Sequence, residues 1–341
     1  MPKMTLPQQP LQESSLSTLL RIDLQWAGEI LRRKYSTRRR RPSHPPEAML
    51  RALIYQHLKQ IPSWRKLALT IKADRSLMRQ LGFQCPPSYS SFSKFTKRVG
   101  EESLREIFLE LVSRLRYLIP DLGRVVAVDA TLVRAYSKSR RKSMPKTDPN
   151  AAWGVSGEKL GKPIYVYGYK LQVISDSQRE IPISYLVASA NQSENRLLSP
   201  HLRGMLATGH KPDVLIADAG YDSRRNTMCC IREGIKPIIA LNPRGSGKKN
   251  GTKNARRRRD YLLPIARHSP EWDEYYSTRS AAERIFSRLK EELGLTHLKL
   301  RTSPRVTVHF ALCLIAMLVV AYVSFAIGRP ELYLSVEPWR Y

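Results

Sequence analysis

The sequence predicts an α/β chain in two parts, an all-helical segment followed by a mixed α/β domain, and three observations carry this. Apolar residues recur at spacings of three and four between Pro46 and Leu118. After Pro120 the period changes to short β-branched runs. Those runs come first as a meander and then alternate with helical stretches, which is the pattern of a sheet flanked by helices.

Taken in order, residues 1–45 read as a basic arm or linker. A possible amphipathic helix around Leu16 to Leu31 leads into a cationic run that includes Arg32, Arg33, Lys34, Arg38, Arg39, Arg40 and Arg41, with no acid between Glu29 and Glu47. Residues 46–120 form the helical domain. Met49, Leu50, Leu53, Ile54 and Leu58 make one apolar stripe, Ser63 is placed to cap WRKLALTI, Pro86-Pro87-Ser88 marks a turn, and a helix runs from about Ser91 through Tyr117 with an interruption near Gly100. Short basic helices joined by tight turns suit a helix-turn-helix-like DNA module. A helical cap with a cationic surface has the same pattern.

The α/β domain is expected over 121–328. Strands are read at 124–133, 164–175, 181–189, 214–221 and 237–242, the second and third pairing around Gln178 and Arg179, with helices at about 195–207 and 223–233. Two basic inserts, at about 134–160 and 243–272, read as loops; the second carries Arg256, Arg257, Arg258 and Arg259. Val306 to Ile327 is nearly all apolar and long enough to span a bilayer. It carries Thr307, His309 and Ser324 and stands alone in a basic chain, so it is read as the central helix of a large core, with no membrane expected. Residues 329–341 are a C-terminal tail.

The 341 residues hold 58 Lys+Arg against 29 Asp+Glu, a formal charge of +29, which points to a polyanionic partner. A composition that is 42% hydrophobic excludes wholesale disorder, and the length excludes a small disulfide-stapled scaffold. Cys85, Cys229, Cys230 and Cys313 include no CxxC pair and no His at zinc-ligand spacing, so they read as idle thiols in a reducing compartment. The N-terminus lacks the plan of a secretory signal.

In so cationic a chain the acids at strand ends are informative. Asp129 closes VVAVD and Asp218 closes VLIAD, where sites collect in open α/β sheets. Either Asp alone is more readily a cap or turn former. A third acid comes from EYYSTRSAAERIFSRLKEELGL. On one continuous helix, Tyr276, Arg279, Glu283 and Lys290 fall on a single stripe, while Ala282, Ile285, Phe286, Leu289 and Leu293 make a separate apolar face. A solvated Arg-Glu face has the same spacing. Three carboxylates flanked by cations suit phosphodiester cleavage, because oxygen-ligated Mg²⁺ ions activate the attacking and leaving oxygens and Arg or Lys grips neighbouring phosphates.

The string Tyr276-x2-Arg279-x3-Glu283-x6-Lys290 resembles the Tyr-Arg-Glu-Lys signature of insertion-sequence transposases of the DDE type. DAGYDS around Asp218 and VAVDAT around Asp129 resemble that family's two aspartate boxes, and YGYKLQVISDSQREIPISYLVASA resembles the middle of its catalytic domains. The resemblance covers about 45–325. It implies a ribonuclease H-like mixed five-stranded sheet flanked by helices after an all-α N-terminal domain. It also implies Asp129, Asp218 and Glu283 as catalytic residues and metal ligands for two Mg²⁺ ions, with Mn²⁺ able to substitute. Tyr276, Arg279 and Lys290, joined by the basic runs at 38–41 and 256–259, would contact double-stranded DNA at element ends and target. The implied protein is a homodimer when synapsed, acts in the prokaryotic cytoplasm at the nucleoid, and cuts and rejoins DNA strands.

Overall fold

A computed structural model describes residues 15–20, 22–35, 44–138, 147–159, 162–242, 260 and 262–340. The chain divides into two compact units, one made of 1–119 and 288–341, the other of 120–287.

In the first unit, α1 (Ser15–Leu20) and α2 (Gln25–Arg32) replace the single amphipathic helix expected over this stretch. The chain breaks at 22–24, where Asp23 Oδ1 accepts the Gln25 N–H at 2.9 Å. Next come α3 (Pro46–Leu58), α4 (Trp64–Ala73), α5 (Arg75–Gln80) and α6 (Tyr89–Leu118). Ser63 caps α4 as its sequence suggests, accepting the Lys66 N–H, and Asp74 caps α5 through the Leu77 N–H. The interruption expected in α6 falls at Gly100, whose φ of 69° is a conformation that glycine adopts without a Cβ penalty.

The apolar C-terminal stretch forms a helix over Ser303–Ala326, long and apolar enough to cross a membrane, and 94% of its most apolar window is buried. It packs on α6 and α3. The α/β domain expected over 121–328 therefore spans both units: its sheet belongs to one, and this helix lies among the N-terminal helices. The tail is held as well, because the Arg340 guanidinium donates to Leu58 O at 3.0 Å and Glu292 O at 2.9 Å.

The second unit is built on a mixed sheet of six strands, one more than expected. These are β1 (Val125–Arg134), β2 (Ala152–Lys159), β3 (Lys162–Asp176), β4 (Pro182–Ser189), β5 (Val214–Ala217) and β6 (Lys236–Ile239). The additional strand is β2, from the insert read as a loop, which pairs with the first half of β3 while β4 pairs with the second half. Without β2 the order is β4-β3-β1-β5-β6, antiparallel as far as β1 and parallel beyond it, the ribonuclease H-like arrangement.

Gly168 lies where these pairings meet, opposite both Arg134 and Ala152, and a Cβ there would stand 2.0 Å from Val133 O. At the β3–β4 turn, Asp176 Oδ2 accepts the Gly123 N–H at 2.7 Å and Oδ1 accepts the Gln178 and Arg179 N–H groups at 3.0 and 2.6 Å. This is the turn anticipated at Gln178 and Arg179.

Helices cover both faces. α7 (Glu194–Leu206) and α8 (Arg224–Arg232) lie on the side of Gln172, which bonds to His201 of α7. On the other side, Ala127, Val214, Ile216 and Ile238 form one core with Ile265, with Trp272 of α9 (Pro270–Ser277) and with Ala282 of α10 (Ser280–Glu291). The end of the second insert, expected to be loop, is thus packed structure. Arg284 of α10 pairs with Glu180 in the β3–β4 turn. The buried helix over Ser303–Ala326 is α11.

Candidate active site

The β1–β5 pairing sets the geometry of the acids. Its parallel register runs Val125↔Val214 to Val128↔Ala217, so the next residue on each strand is Asp129 and Asp218. Neighbouring strands stand about 4.8 Å apart. Side chains alternate along a strand, and Asp129 is two residues beyond core residue Ala127, as Asp218 is two beyond Ile216. Both carboxylates therefore lie on the face covered by α9 and α10, one step past the apolar core.

β1 does not end at Asp129. It continues to Arg134 by pairing with β3, where Asp129 faces Val173, and only its pairing with β5 stops. Asp218 lies just beyond β5 in extended conformation and caps a 3-10 turn (Ala219–Tyr221), its Oδ1 accepting the Gly220 N–H at 2.8 Å. It is thus a turn former, as a lone Asp after a strand often is.

Glu283 lies in the first turn of α10, exposed, next to core residue Ala282. Its Oε1 is 2.6 Å from Arg279 Nη1. The continuous helix expected from Tyr276 to Lys290 is broken: α9 ends at Ser277, and 278–279 form a tighter turn in which the Arg279 N–H donates to Tyr276 O. The Arg279–Glu283 pair survives that break. Tyr276 stacks on Trp272 with centroids 4.5 Å apart, and the Arg279 guanidinium lies 5.9 Å from its ring centre. Lys290 is in the last turn of α10, two turns beyond Glu283. The runs at 38–41 and 256–259 lie outside the described residues.

Burial raises the Asp129 carboxyl to about 7, and the charges of Asp218, Glu194 and Glu283 push the same way against the Ala130 N–H that donates to it. Such a site is electrostatically unsatisfied, and a cation would relieve it. Hard oxygen donors in this number fit Mg²⁺ or Mn²⁺. The three carboxylates do not converge within 4.8 Å of one another, as the ligand atoms of His57, His309 and Cys313 do.

Two supporting features escaped sequence reading. Glu194, at the start of α7, is one of three acids acting on Asp129 and pairs at 2.8 Å with Lys170, whose side chain is only 8% exposed. Beneath the site runs a buried chain in which Gln172 Nε2 donates to the Tyr221 hydroxyl at 3.1 Å, while His201 bridges Gln172 Oε1 and Ser184 Oγ at 2.9 and 3.0 Å. Asn226 donates to Tyr221 O and Asn195 O, and Asn195 donates to Asp222 O, which holds the turn after Asp218. The Lys in YGYKLQ and the Glu in NQSEN are the only sequence signals for the first feature. Asp148 is buried and accepts the Tyr169 hydroxyl at 2.6 Å, anchoring the first insert to β3.

Residues 120–319 match the family described as "Transposase DDE domain", and residues 7–98 match "Transposase domain (DUF772)". The chain is 27% identical over 306 residues to the probable transposase for insertion sequence element ISH11 of two Halobacterium salinarum strains, covering 86% of this chain and 83% of each relative. Among solved structures it aligns with a piggyBac transposase synaptic complex with hairpin DNA at 11% identity and TM-score 0.44, over 94% of this chain and 78% of that one. A family match that spans more than half of the chain and takes in both aspartate boxes and the Glu283 helix settles its membership: the chain belongs to the DDE transposases of insertion sequences.

Proposed function

We propose that this transposase cuts DNA strands at the ends of its element and joins the freed 3′-OH to target DNA, using Asp129, Asp218 and Glu283 to hold two divalent ions. The observation that carries the reading is the β1–β5 register, which sets Asp129 and Asp218 side by side facing the helix of Glu283, with Asp129 raised to about 7 among like charges. When bound, the ions would supply Lewis-acid activation of the attacking and leaving oxygens in an in-line displacement.

The chain's own residues do the rest. Asp218 is fixed by the Gly220 N–H and the Asn195–Asn226 clamp on its turn. Arg279, paired with Glu283 at 2.6 Å, would hold a phosphate beside a metal that Glu283 helps bind. The Trp272–Tyr276 stack stiffens the floor under that guanidinium. Double-stranded DNA is the substrate by charge, and a second copy would be needed to synapse two ends.

The test uses a labelled duplex carrying the element's own end, with Mg²⁺, Mn²⁺, Ca²⁺ or no metal. Wild type should nick and join with Mg²⁺ or Mn²⁺, while Asp129→Ala, Asp218→Ala and Glu283→Ala should lose at least about 10³-fold in cleavage and still shift the duplex in a gel. Cleavage by any of the three at the wild-type rate would remove that residue from the site.

A further inference from the structure

We propose that His57, His309 and Cys313 form a structural zinc site in the helical unit. His309 and Cys313 stand one turn apart on α11 and point to the same side, and His57 meets them from α3, a conjunction that spacing along the sequence conceals. One ligand atom from each lies within 4.8 Å of the others. Cys313 Sγ is 3.4 Å from His57 Nδ1 and 3.9 Å from His309 Nε2. A nitrogen and a sulfur bound to one tetrahedral zinc stand about 3.6 Å apart, so little movement separates this arrangement from a bound one.

A cavity of about 10 Å³ opens beside the cluster, lined by His57, His309 and His297 together with Gln56 and Gln60. That is room for about one water-sized atom on the His57 and His309 side of the cluster. His297 comes from the turn that follows Gly294, whose φ is 67°.

Burial pushes His57 down to about 3 and His309 to about 4, so both rings are neutral near pH 7 and have a lone pair to give. Burial pushes the Cys313 thiol up, which makes it a thiol without metal. Binding therefore releases the Cys313 proton to solvent. His57 Nδ1 and His309 Nε2 lie 3.0 and 3.1 Å from Leu293 O and Leu295 O, so each ring also passes its proton to its other nitrogen as the metal takes that lone pair. Nitrogen and thiolate donors select zinc over Mg²⁺, which keeps this site chemically distinct from the carboxylates.

The experiment uses the full-length chain, untagged and dialysed against metal-free buffer, and reads zinc by mass spectrometry and the near-ultraviolet thiolate-to-cobalt band after Co²⁺ addition. Wild type should hold about one zinc per chain and show the band. Cys313→Ala should lose both, whereas Cys85→Ala and Cys229→Ala should keep both. Chelation should lower the wild-type Tm, and Zn²⁺ but not Mg²⁺ should restore it. Should Cys313→Ala fail to fold, the wild-type cobalt spectrum and the chelation result decide. Wild type with no zinc, no cobalt band and no Tm response, or a folded Cys313→Ala with full zinc content, would overturn the site and leave a hydrogen-bonded polar cluster in the core.

Discussion

Asp129 illustrates the conflict between stability and chemistry in a single side chain. Its carboxyl, ordinarily near 3.8, is raised to about 7, so the folded state holds the proton more tightly than the unfolded chain does. The stability this gives is complete below about pH 3.8 and is lost as pH rises through about 7. Without divalent ions, Asp129→Asn should therefore melt several degrees above wild type at pH 8, and the gap should close by pH 4; thermal unfolding at the two pH values checks this. Added Mg²⁺ should stabilise wild type more than the variant. The Lys170–Glu194 pair is a second such case. Lys170→Met strands the Glu194 carboxylate within reach of Asp129 and should lower Tm, and adding Glu194→Gln should recover part of the loss, a comparison that a double-mutant cycle reads directly.

Among the elements, β3 has the heaviest task, pairing with β1 along one side and with β2 and β4 over its two halves. Gly168 is the point where it accommodates all three. Gly168→Ala forces backbone apart at Val133 O and should cost at least about 2 kcal/mol, visible as a fall in the denaturant midpoint. The strands and their meander were legible because β-branched runs and turn residues are local signals, and so were the caps at Ser63 and the break at Gly100. β2 was not legible, since Trp153, Val155 and Tyr165 on this hairpin are exposed and leave no buried alternation to read. The break at 278–279 was hidden because Thr278 and Arg279 are ordinary helix residues and the turn there is a slight tightening. In the proposed site, the adjacency of Asp129 and Asp218 was legible from the ends of their apolar runs. Glu194 was not, because its relation to Asp129 exists only after α7 folds back over the sheet.

Over the whole molecule the excess of cations sets the binding behaviour. With +29 formal charge, affinity for duplex DNA should fall steeply with salt, each neutralised phosphate adding about −0.9 to the slope of log K against log salt. Fluorescence anisotropy over a salt series measures it, and a nearly flat line would contradict DNA binding through these charges. Neutralising the runs at 38–41 and 256–259 should flatten the slope without abolishing cleavage at low salt, which separates the hold on the substrate from the chemistry done on it.

The shared rungs of β1 and β5 make the spacing before each aspartate a matter of parity. One residue inserted between Val125 and Asp129 would send that carboxylate through the sheet to the Tyr221 side. Two would return it to the correct side but about 6.8 Å too far along. Length variation should thus be forbidden over these few residues, where almost any apolar substitution that fills the core could be borne.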